Sequence, residues 1–278
     1  MERTLWNIIT SSKLKTFFSL ILFMVSLSAH SQDRYFAQTY TADILPKGAI
    51  DIELWHTSRI GRVHQYYNAI DQRMEIEVGL GGKVQTAFYF NRFQETVSKD
   101  SGDISSKTEL GFSNEWKVLI SKSGAKINAA LYAEIGLKGD EVEWEGKLIL
   151  DRAIGKKNLL AFNLVAEVEQ EIVQKDGRYR LTTSQTPINL LFGYLYYLQP
   201  GLGIGAEIKN TNGIVKGNWQ HSILFAGPTI NYRTNRWFFI VNVLPQLVNF
   251  RKSAFAPGNK VLDVHERFEG RIVLGFSL

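Results

Sequence analysis

Two runs of alternating glutamates are the residues of this sequence best suited to chemistry. Within each run the glutamates are separated by single residues, and this spacing places them on one face of a β-strand. Carboxylates gathered in this way can pair with basic side chains, take up protons or bind cations. The two runs are Glu141, Glu143, Glu145 and Glu167, Glu169, Glu171.

The two runs are predicted to lie side by side. A short turn expected at residues 153–157 pairs Glu143 with Glu169 and Glu145 with Glu167. Like charges facing each other across strands repel, so this ladder must be neutralised. Three interpretations stay open. The carboxylates can pair with basic side chains, they can give the interior of a barrel a preference for cations, or they can bind one divalent ion through oxygen ligands, although no shaped binding loop is present. The basic candidates on the same inner face are Arg73, Lys117, Lys126, Lys147, Arg267 and Arg271.

Histidine and serine are the other candidates for chemistry. His56, His64, His221 and His265 fall at or beyond the predicted outer ends of strands, so we expect rim residues and no shared metal site. His221 and Ser222 are adjacent, which puts their side chains on opposite faces of a strand and argues against a catalytic dyad. We therefore predict no catalytic residues, no cofactor and no metal ligands.

The elements that position these residues are β-strands. From residue 47 onward, apolar and polar residues alternate in segments of about ten residues, the length of a tilted membrane strand. Twelve segments can be counted, and their apolar faces hold no Asp, Glu, Lys or Arg. The first segment, for example, has Ile50, Ile52 and Leu54 on one face and Asp51, Glu53 and Trp55 on the other. The long eighth segment, residues 178–198, is expected to contain a bulge near Thr186.

The connections between segments separate into two groups. Short turns at 81–82, 121–124, 153–157, 199–201 and 233–236 alternate with longer loops at 59–71, 94–106, 174–179, 210–220 and 248–262, and the connection 138–140 is the one short exception among the loops. Outer-membrane barrels have short periplasmic turns and long external loops. The predicted fold is therefore all-β: one antiparallel up-and-down transmembrane β-barrel of about twelve strands.

The N-terminus resembles a secretory signal. Arg3, Lys13 and Lys15 precede an apolar run from Phe17 to Ala29, which is too short to span a bilayer as a helix. We expect cleavage after Ser31. The predicted organisation is a signal peptide at 1–31, a periplasmic N-terminal segment at 32–47 and a barrel at 48–278.

Composition excludes several classes of protein. The chain has no cysteine, which rules out disulfides, thiolate metal sites and the lipid-bearing cysteine of a lipoprotein. Its net charge is +5, and removing the leader, with three basic residues and one acidic residue, leaves +3. Charges alternate with apolar residues rather than forming a basic stripe, so we expect no nucleic-acid partner.

Short motifs resemble one known family. The opening Leu45-Pro-Lys-Gly-Ala-Ile-Asp-Ile-Glu-Leu-Trp55, the stretch Ala226-Gly-Pro-Thr-Ile-Asn-Tyr-Arg233 and the amphipathic end Glu269 to Leu278 are similar to the Gram-negative porin-like barrels grouped around the MetA pathway of phenol degradation. The ending also resembles the signal read by the barrel assembly machinery. The resemblance implies an outer-membrane location and a porin-like transport role.

Three functional classes remain open from the sequence. The first is a porin-like passage for small solutes or cations. The second is a narrow or plugged barrel that serves as a structural or binding surface protein. The third is an embedded hydrolase, which we expect least because no catalytic motif is present. Outer-membrane lipid and the assembly machinery are the expected partners, and the transported solute is not predicted.

Overall fold

A single antiparallel β-sheet closes on itself in the computed structural model, which describes residues 34–98 and 102–278. The predicted signal peptide lies outside the described residues. The strands are β1 (Ile50–Ile60), β2 (Tyr67–Gly81), β3 (Val84–Ser98), β4 (Ile104–Leu119), β5 (Asn128–Lys138), β6 (Glu141–Ile154), β7 (Asn158–Lys175), β8 (Arg178–Gln185), β9 (Ile188–Gln199), β10 (Leu202–Val215), β11 (Asn218–Arg233), β12 (Trp237–Asn249) and β13 (Phe268–Ser277).

The sheet is a barrel with twelve wall positions, as predicted. Neighbouring strands pair in chain order, and β1 pairs with β13 to close the ring. β8 and β9 share one position because both pair with β7. They are the two halves of the predicted eighth strand, and they separate at Thr186 and Pro187, where the bulge was expected. Among the described residues no helix is long and apolar enough to cross a membrane.

The facing of the strands follows the predicted alternation. Outward side chains such as Leu54, Phe90 and Leu131 are about half exposed, whereas inward Glu53, Trp55 and Tyr89 are buried. In an ordinary soluble sheet the apolar face would be covered by a second layer, but here it points away from the barrel axis. The core of the molecule is therefore the polar and aromatic interior of the barrel.

The two ends of the barrel differ, though less than the sequence suggests. We call the end with the turns at 82–83, 120–127, 155–157, 200–201 and 234–236 the turn end, and the opposite one the loop end. At the loop end the predicted loops 94–106, 174–179 and 210–220 are largely strand: β7 and β8 join at 176–177, and β10 and β11 at 216–217. Backbone pairing continues past the apolar belt because it does not require an apolar face. Residues 250–267, which we call the capping loop, are the long irregular connection of this end.

Candidate functional site

Residues 34–45, which we call the lumen segment, lie inside the barrel at its turn end. Phe36, Ala37, Thr39 and Ala42 are fully buried. The segment packs between opposite walls, since its Ala37, Tyr40 and Ala42 form one cluster with side chains of β1, β5, β6, β12 and β13. The sequence predicts a periplasmic N-terminal segment at 32–47, and the structure places residues 34–45 of this segment inside the barrel.

A buried carboxylate holds the middle of the lumen segment. The Glu207 side chain accepts hydrogen bonds from three consecutive backbone N–H groups, those of Ala37 (3.0 Å), Gln38 (2.7 Å) and Thr39 (3.0 Å). The amide of Asn242 donates a further bond of 3.0 Å to it. Hydrogen bonds to a charged acceptor are about twice as strong as neutral ones. Glu207 is therefore the principal anchor of the segment on the barrel wall.

Other side chains of the wall form hydrogen bonds to backbone groups of the lumen segment, as a neighbouring strand would. Asn163 accepts from the backbone N–H of Tyr40 (2.6 Å) and donates to the carbonyl of the same residue (2.9 Å). The N–H of Ala42 donates to Asp151 (2.6 Å), and that of Leu45 to the side-chain oxygen of Gln85 (2.7 Å). Buried backbone groups need such partners. The segment is thus bound by side chains of the wall without being a strand of the sheet.

Three arginines add ionic, aromatic and hydrogen-bond contacts between the lumen segment and the wall. Arg34 pairs with Glu53 at 2.9 Å, and its guanidinium lies 4.1 Å from the ring centre of Tyr40. Arg233 bonds the carbonyl of Arg34, and Arg271 donates to that of Ala37 at 3.0 Å. Because Arg233 ends β11 at the turn end, the segment enters the lumen and returns to the same end.

A glycine of the wall makes room for the aromatic anchor of the segment. Phe36 packs against Leu159, Ala161 and Leu195. A Cβ added to Gly193 would lie 2.8 Å from the Phe36 ring, closer than real side chains approach. Phe36 can therefore occupy this position only because residue 193 has no side chain.

Between the lumen segment and the capping loop lies a chamber of about 490 Å³. Gln38 and Tyr40 of the lumen segment line its floor, and Phe255, Val264 and His265 of the capping loop line its outer side. The capping loop is held in the mouth of the barrel because its Ala256 and Val261 pack on inward side chains of β11 and β12. A chamber of this volume is within the usual range for small-molecule sites.

Three of the six glutamates of the predicted ladder, Glu143, Glu145 and Glu167, line one wall of the chamber. The register pairs Glu143 with Glu169 and Glu145 with Glu167, as the sequence predicts. Oxygen atoms of Glu143, Glu145 and Glu167 lie within 4.8 Å of one another, a donor set that suits a hard cation. Lys147 pairs with Glu145 at 2.6 Å, while Asn189 donates to Glu167 at 2.8 Å. The ladder is therefore only partly neutralised by ion pairs.

Basic side chains are gathered on the facing wall. Arg59 and Lys209 both contact Glu269, at 3.2 and 2.9 Å. Arg271 donates to Thr57 at 2.8 Å, and Arg73 lies over the ring of Trp55 at 5.3 Å. The chamber thus has an acidic side on β6 and β7 and a basic side on β1, β2, β10 and β13.

Some predicted lumen residues lie outside the chamber. Glu171 and Arg267 are exposed at the loop end. Arg267 precedes β13, and its backbone N–H bonds carbonyls of Ile60 and Gly61, so the strand alternation used to place it does not apply there. Glu141 pairs with Lys138 at 2.8 Å, a partner that the sequence argument missed. Lys117 is buried but not among the chamber-lining residues, and Lys126 is exposed in a turn.

The structure brings together two histidines that the sequence placed separately. The rings of His221 on β11 and His265 on the capping loop have centroids 4.5 Å apart. Burial, together with His221, Arg62 and Lys209, lowers the pKa of His265 to about 3, so this imidazole is neutral at physiological pH. His56 bonds Ser58, and His64 is exposed.

Sequence comparison identifies a family but no curated relative. A family model described as "Family of unknown function (DUF6662)" matches residues 28–278. No curated protein has a matching sequence.

Solved structures share the architecture at low identity. The COG4313 outer membrane channel from Pseudomonas putida F1 is 11% identical, with a TM-score of 0.58 over 85% of this chain and 98% of that one. The NanC porin is 8% identical, with a TM-score of 0.53 over 82% and 100% of the two chains. The β domain of the Bordetella autotransporter Brka is 9% identical, with a TM-score of 0.52 over 84% and 100%. These likenesses establish the fold as that of outer-membrane β-barrels.

Proposed function

The chain belongs to the DUF6662 family of unknown function, and we propose from the lumen itself that it is an outer-membrane channel for small polar solutes, with the lumen segment as its gate. The turn end then faces the periplasm and the loop end faces outward. The outward apolar belt contacts outer-membrane lipid. The barrel assembly machinery remains the partner proposed for insertion. The motifs that begin at Leu45 and Ala226 resemble those of the barrels grouped around the MetA pathway, and we include a relationship to these barrels in the proposal.

The observation that carries this proposal is the way the lumen is closed. The lumen segment is held by hydrogen bonds and ion pairs to wall side chains and is not a member of the sheet. Its removal would leave the pairing of the wall strands intact. A barrier that can be displaced without unfolding the barrel is what a gated channel requires.

The chamber supports polar solutes and favours cations among them. Its lining is rich in charged groups, and on the acidic side Glu143 and Glu167 form no ion pair within 4.0 Å with any residue that the structure describes. In a narrow space with low-dielectric walls such a wall raises the local concentration of counter-ions. We therefore propose cation preference, although the predicted mature chain is slightly basic.

The same closure also favours a second candidate, a plugged barrel that binds a ligand in the chamber and passes nothing. The two candidates make different predictions when the gate is removed. An embedded hydrolase gains no support from His221 and Ser222, because His221 lines the chamber whereas the Ser222 hydroxyl accepts a bond from Asn210 at 3.1 Å.

Conductance in planar bilayers separates channel from plugged barrel. We expect rare openings of the refolded wild-type protein and frequent openings of a variant that lacks residues 36–42. Retained barrel structure is checked by the heat-dependent mobility of the folded protein on a gel. A folded deletion variant that passes no current would contradict the channel and support the binding protein.

A further inference from the structure

His221 is a buried polar side chain without a hydrogen-bond partner. It is 6% exposed, and neither Nδ1 nor Nε2 has a partner. The ring lies against Gly213, where an added Cβ would be 2.3 Å from its Cε1 atom. Leaving a buried polar group unpaired destabilises a protein, so an unpaired side chain of this kind is a candidate ligand. The ring lines the chamber, where an ion can reach it.

A second imidazole lies beside the first. The rings of His265 and His221 are inclined by 71°, with centroids 4.5 Å apart. Two imidazoles on one tetrahedral zinc ion have centroids about 5 Å apart, given Zn–N bonds of about 2.0–2.1 Å. The difference is small enough for a rotation of the His265 side chain, which belongs to an irregular loop rather than to a strand.

We propose that His221 and His265 form a site for a divalent transition-metal ion, for which Zn²⁺ is the probe, and that the ion ties the capping loop to β11. Neutral imidazole nitrogen is the donor that Zn²⁺, Cu²⁺ and Ni²⁺ share. Water in the chamber completes the coordination. This site is separate from the glutamate cluster, whose oxygen donors suit Ca²⁺ or Mg²⁺.

Charges around the pair set the strength of the site. Arg62 and Lys209 lie near His265 and oppose the binding of a cation, whereas Glu266, the next residue along the chain, lines the same chamber. The capping loop is already anchored by the side chain of Asn249, which donates to carbonyls of Ala256 and Gly258. The ion therefore adds a tie between loop and wall and does not create the fold of the loop.

The test is calorimetric titration of Zn²⁺ into the full-length refolded protein without a histidine tag. We expect one ion per chain and an affinity at least about tenfold lower in His221→Ala and in His265→Ala, the size of effect typical of damaged metal sites. The matched control is the double variant His56→Ala, His64→Ala, which removes the two histidines outside the pair and should bind like wild type.

Proteolysis provides a second readout that is independent of heat signals. Zn²⁺ should slow tryptic cleavage after Lys252 and Lys260 of the capping loop in the wild type, and should leave cleavage unchanged in both single variants. The proposal is overturned if the wild type binds no Zn²⁺. It is equally overturned if His221→Ala binds Zn²⁺ as tightly as wild type while Glu143→Gln with Glu167→Gln does not, since the ion would then belong to the glutamate cluster.

Discussion

Glu143 and Glu167 face the chamber, whereas Glu141 and Glu171 of the same two runs lie nearer the loop end. Glutamates of the same run therefore have different surroundings, which depend on their position along the strand. The inner pair acts on whatever occupies the chamber, while Glu141 is paired with Lys138 and Glu171 is exposed to solvent.

This difference predicts an effect on ion selectivity. Glu143→Gln with Glu167→Gln keeps side-chain size and the pair of Lys147 with Glu145, and it removes two ionisable carboxyl groups from the acidic wall. We expect the cation preference of open channels to fall toward unity, most clearly near 0.01 M salt, where screening acts only beyond about 30 Å. Reversal potentials across a salt gradient provide the measurement.

The control for this experiment is Glu141→Gln with Glu171→Gln, the same change on the same strands outside the chamber. Selectivity should stay as in the wild type. If the inner and outer pairs behave alike, the acidic wall does not determine selectivity, and the lysine and arginine side chains already neutralise it.

At the scale of single residues, the sequence predicted those contacts that follow from the alternation of residues along a strand. The pairing of Glu143 with Glu169 follows from the turn and the alternation, and both are local properties of the chain. The contact of His221 with His265 could not be predicted, because it depends on how the irregular capping loop folds back into the barrel. Arg267 was misplaced for a related reason, since the alternation was extended past the start of β13.

The hairpin of β7 and β8 illustrates how one pair of strands crosses two environments. Leu164 is the middle one of the five outward positions from 160 to 168 and is 40% exposed. Leu181, on β8 at the loop end, is 50% exposed but belongs to the hairpin beyond the apolar belt. Their similar exposure conceals different surroundings, lipid for the first and water for the second.

Arginine at these two positions should therefore have unequal costs. We expect Leu164→Arg to lower the free energy of unfolding by about 2–4 kcal/mol and Leu181→Arg by about 0–1 kcal/mol, as for cations at the midplane and at the interface. Urea titrations in lipid vesicles measure both. Equal costs at the two positions would show that the assigned membrane boundary is wrong.

The lumen segment is the element that periodicity did not reveal. Its burial depends on acceptors that are distant in sequence, such as Glu207 and Asn163. One residue that could have indicated a buried segment is Gly193, because a glycine on the inward face of a strand leaves a gap in the wall and no turn or bulge there requires it. Only the fold shows that Phe36 occupies this gap.

Gly193→Ala should loosen the gate. The new Cβ would lie 2.8 Å from the buried Phe36 ring, so we expect more frequent channel openings without loss of the folded barrel. Gly136→Ala is the matched control, since its Cβ would meet its nearest neighbours at an ordinary 3.6 Å. Bilayer recordings of the two variants should differ, and identical recordings would mean that Phe36 does not hold the segment in place.

The whole molecule has two unlike ends, and its orientation in the membrane is testable on cells. A protease site inserted between Gly258 and Asn259, both exposed on the capping loop, should be cleaved on intact cells. The same insertion at Ser123, in a connection of the turn end, should be protected until the outer membrane is opened. The opposite pattern would reverse the barrel, and cleavage at both sites would remove the case for a membrane-embedded chain.

At this scale the twelve-position barrel was predictable because membrane strands repeat one simple pattern. The occupation of its lumen was not, because inward residues carry no repeating signal of what they contact. The predicted alternation of short and long connections was right for four of the five turns, but the turn predicted at 121–124 is a longer connection at 120–127. The loops were overstated, since β10 and β11 continue to a tight turn at 216–217.

The most direct test of the account is to lock the gate covalently. The backbone nitrogen of Ala42 lies 2.6 Å from the Asp151 carboxylate, so these two positions are neighbours at which a cross-link between gate and wall can be tried, and the protein has no cysteine of its own to interfere. We predict that Ala42→Cys with Asp151→Cys passes no current when oxidised and opens after a reductant is added. The same conductance in the oxidised and reduced forms, or none in the reduced form, would contradict a pathway gated by the lumen segment.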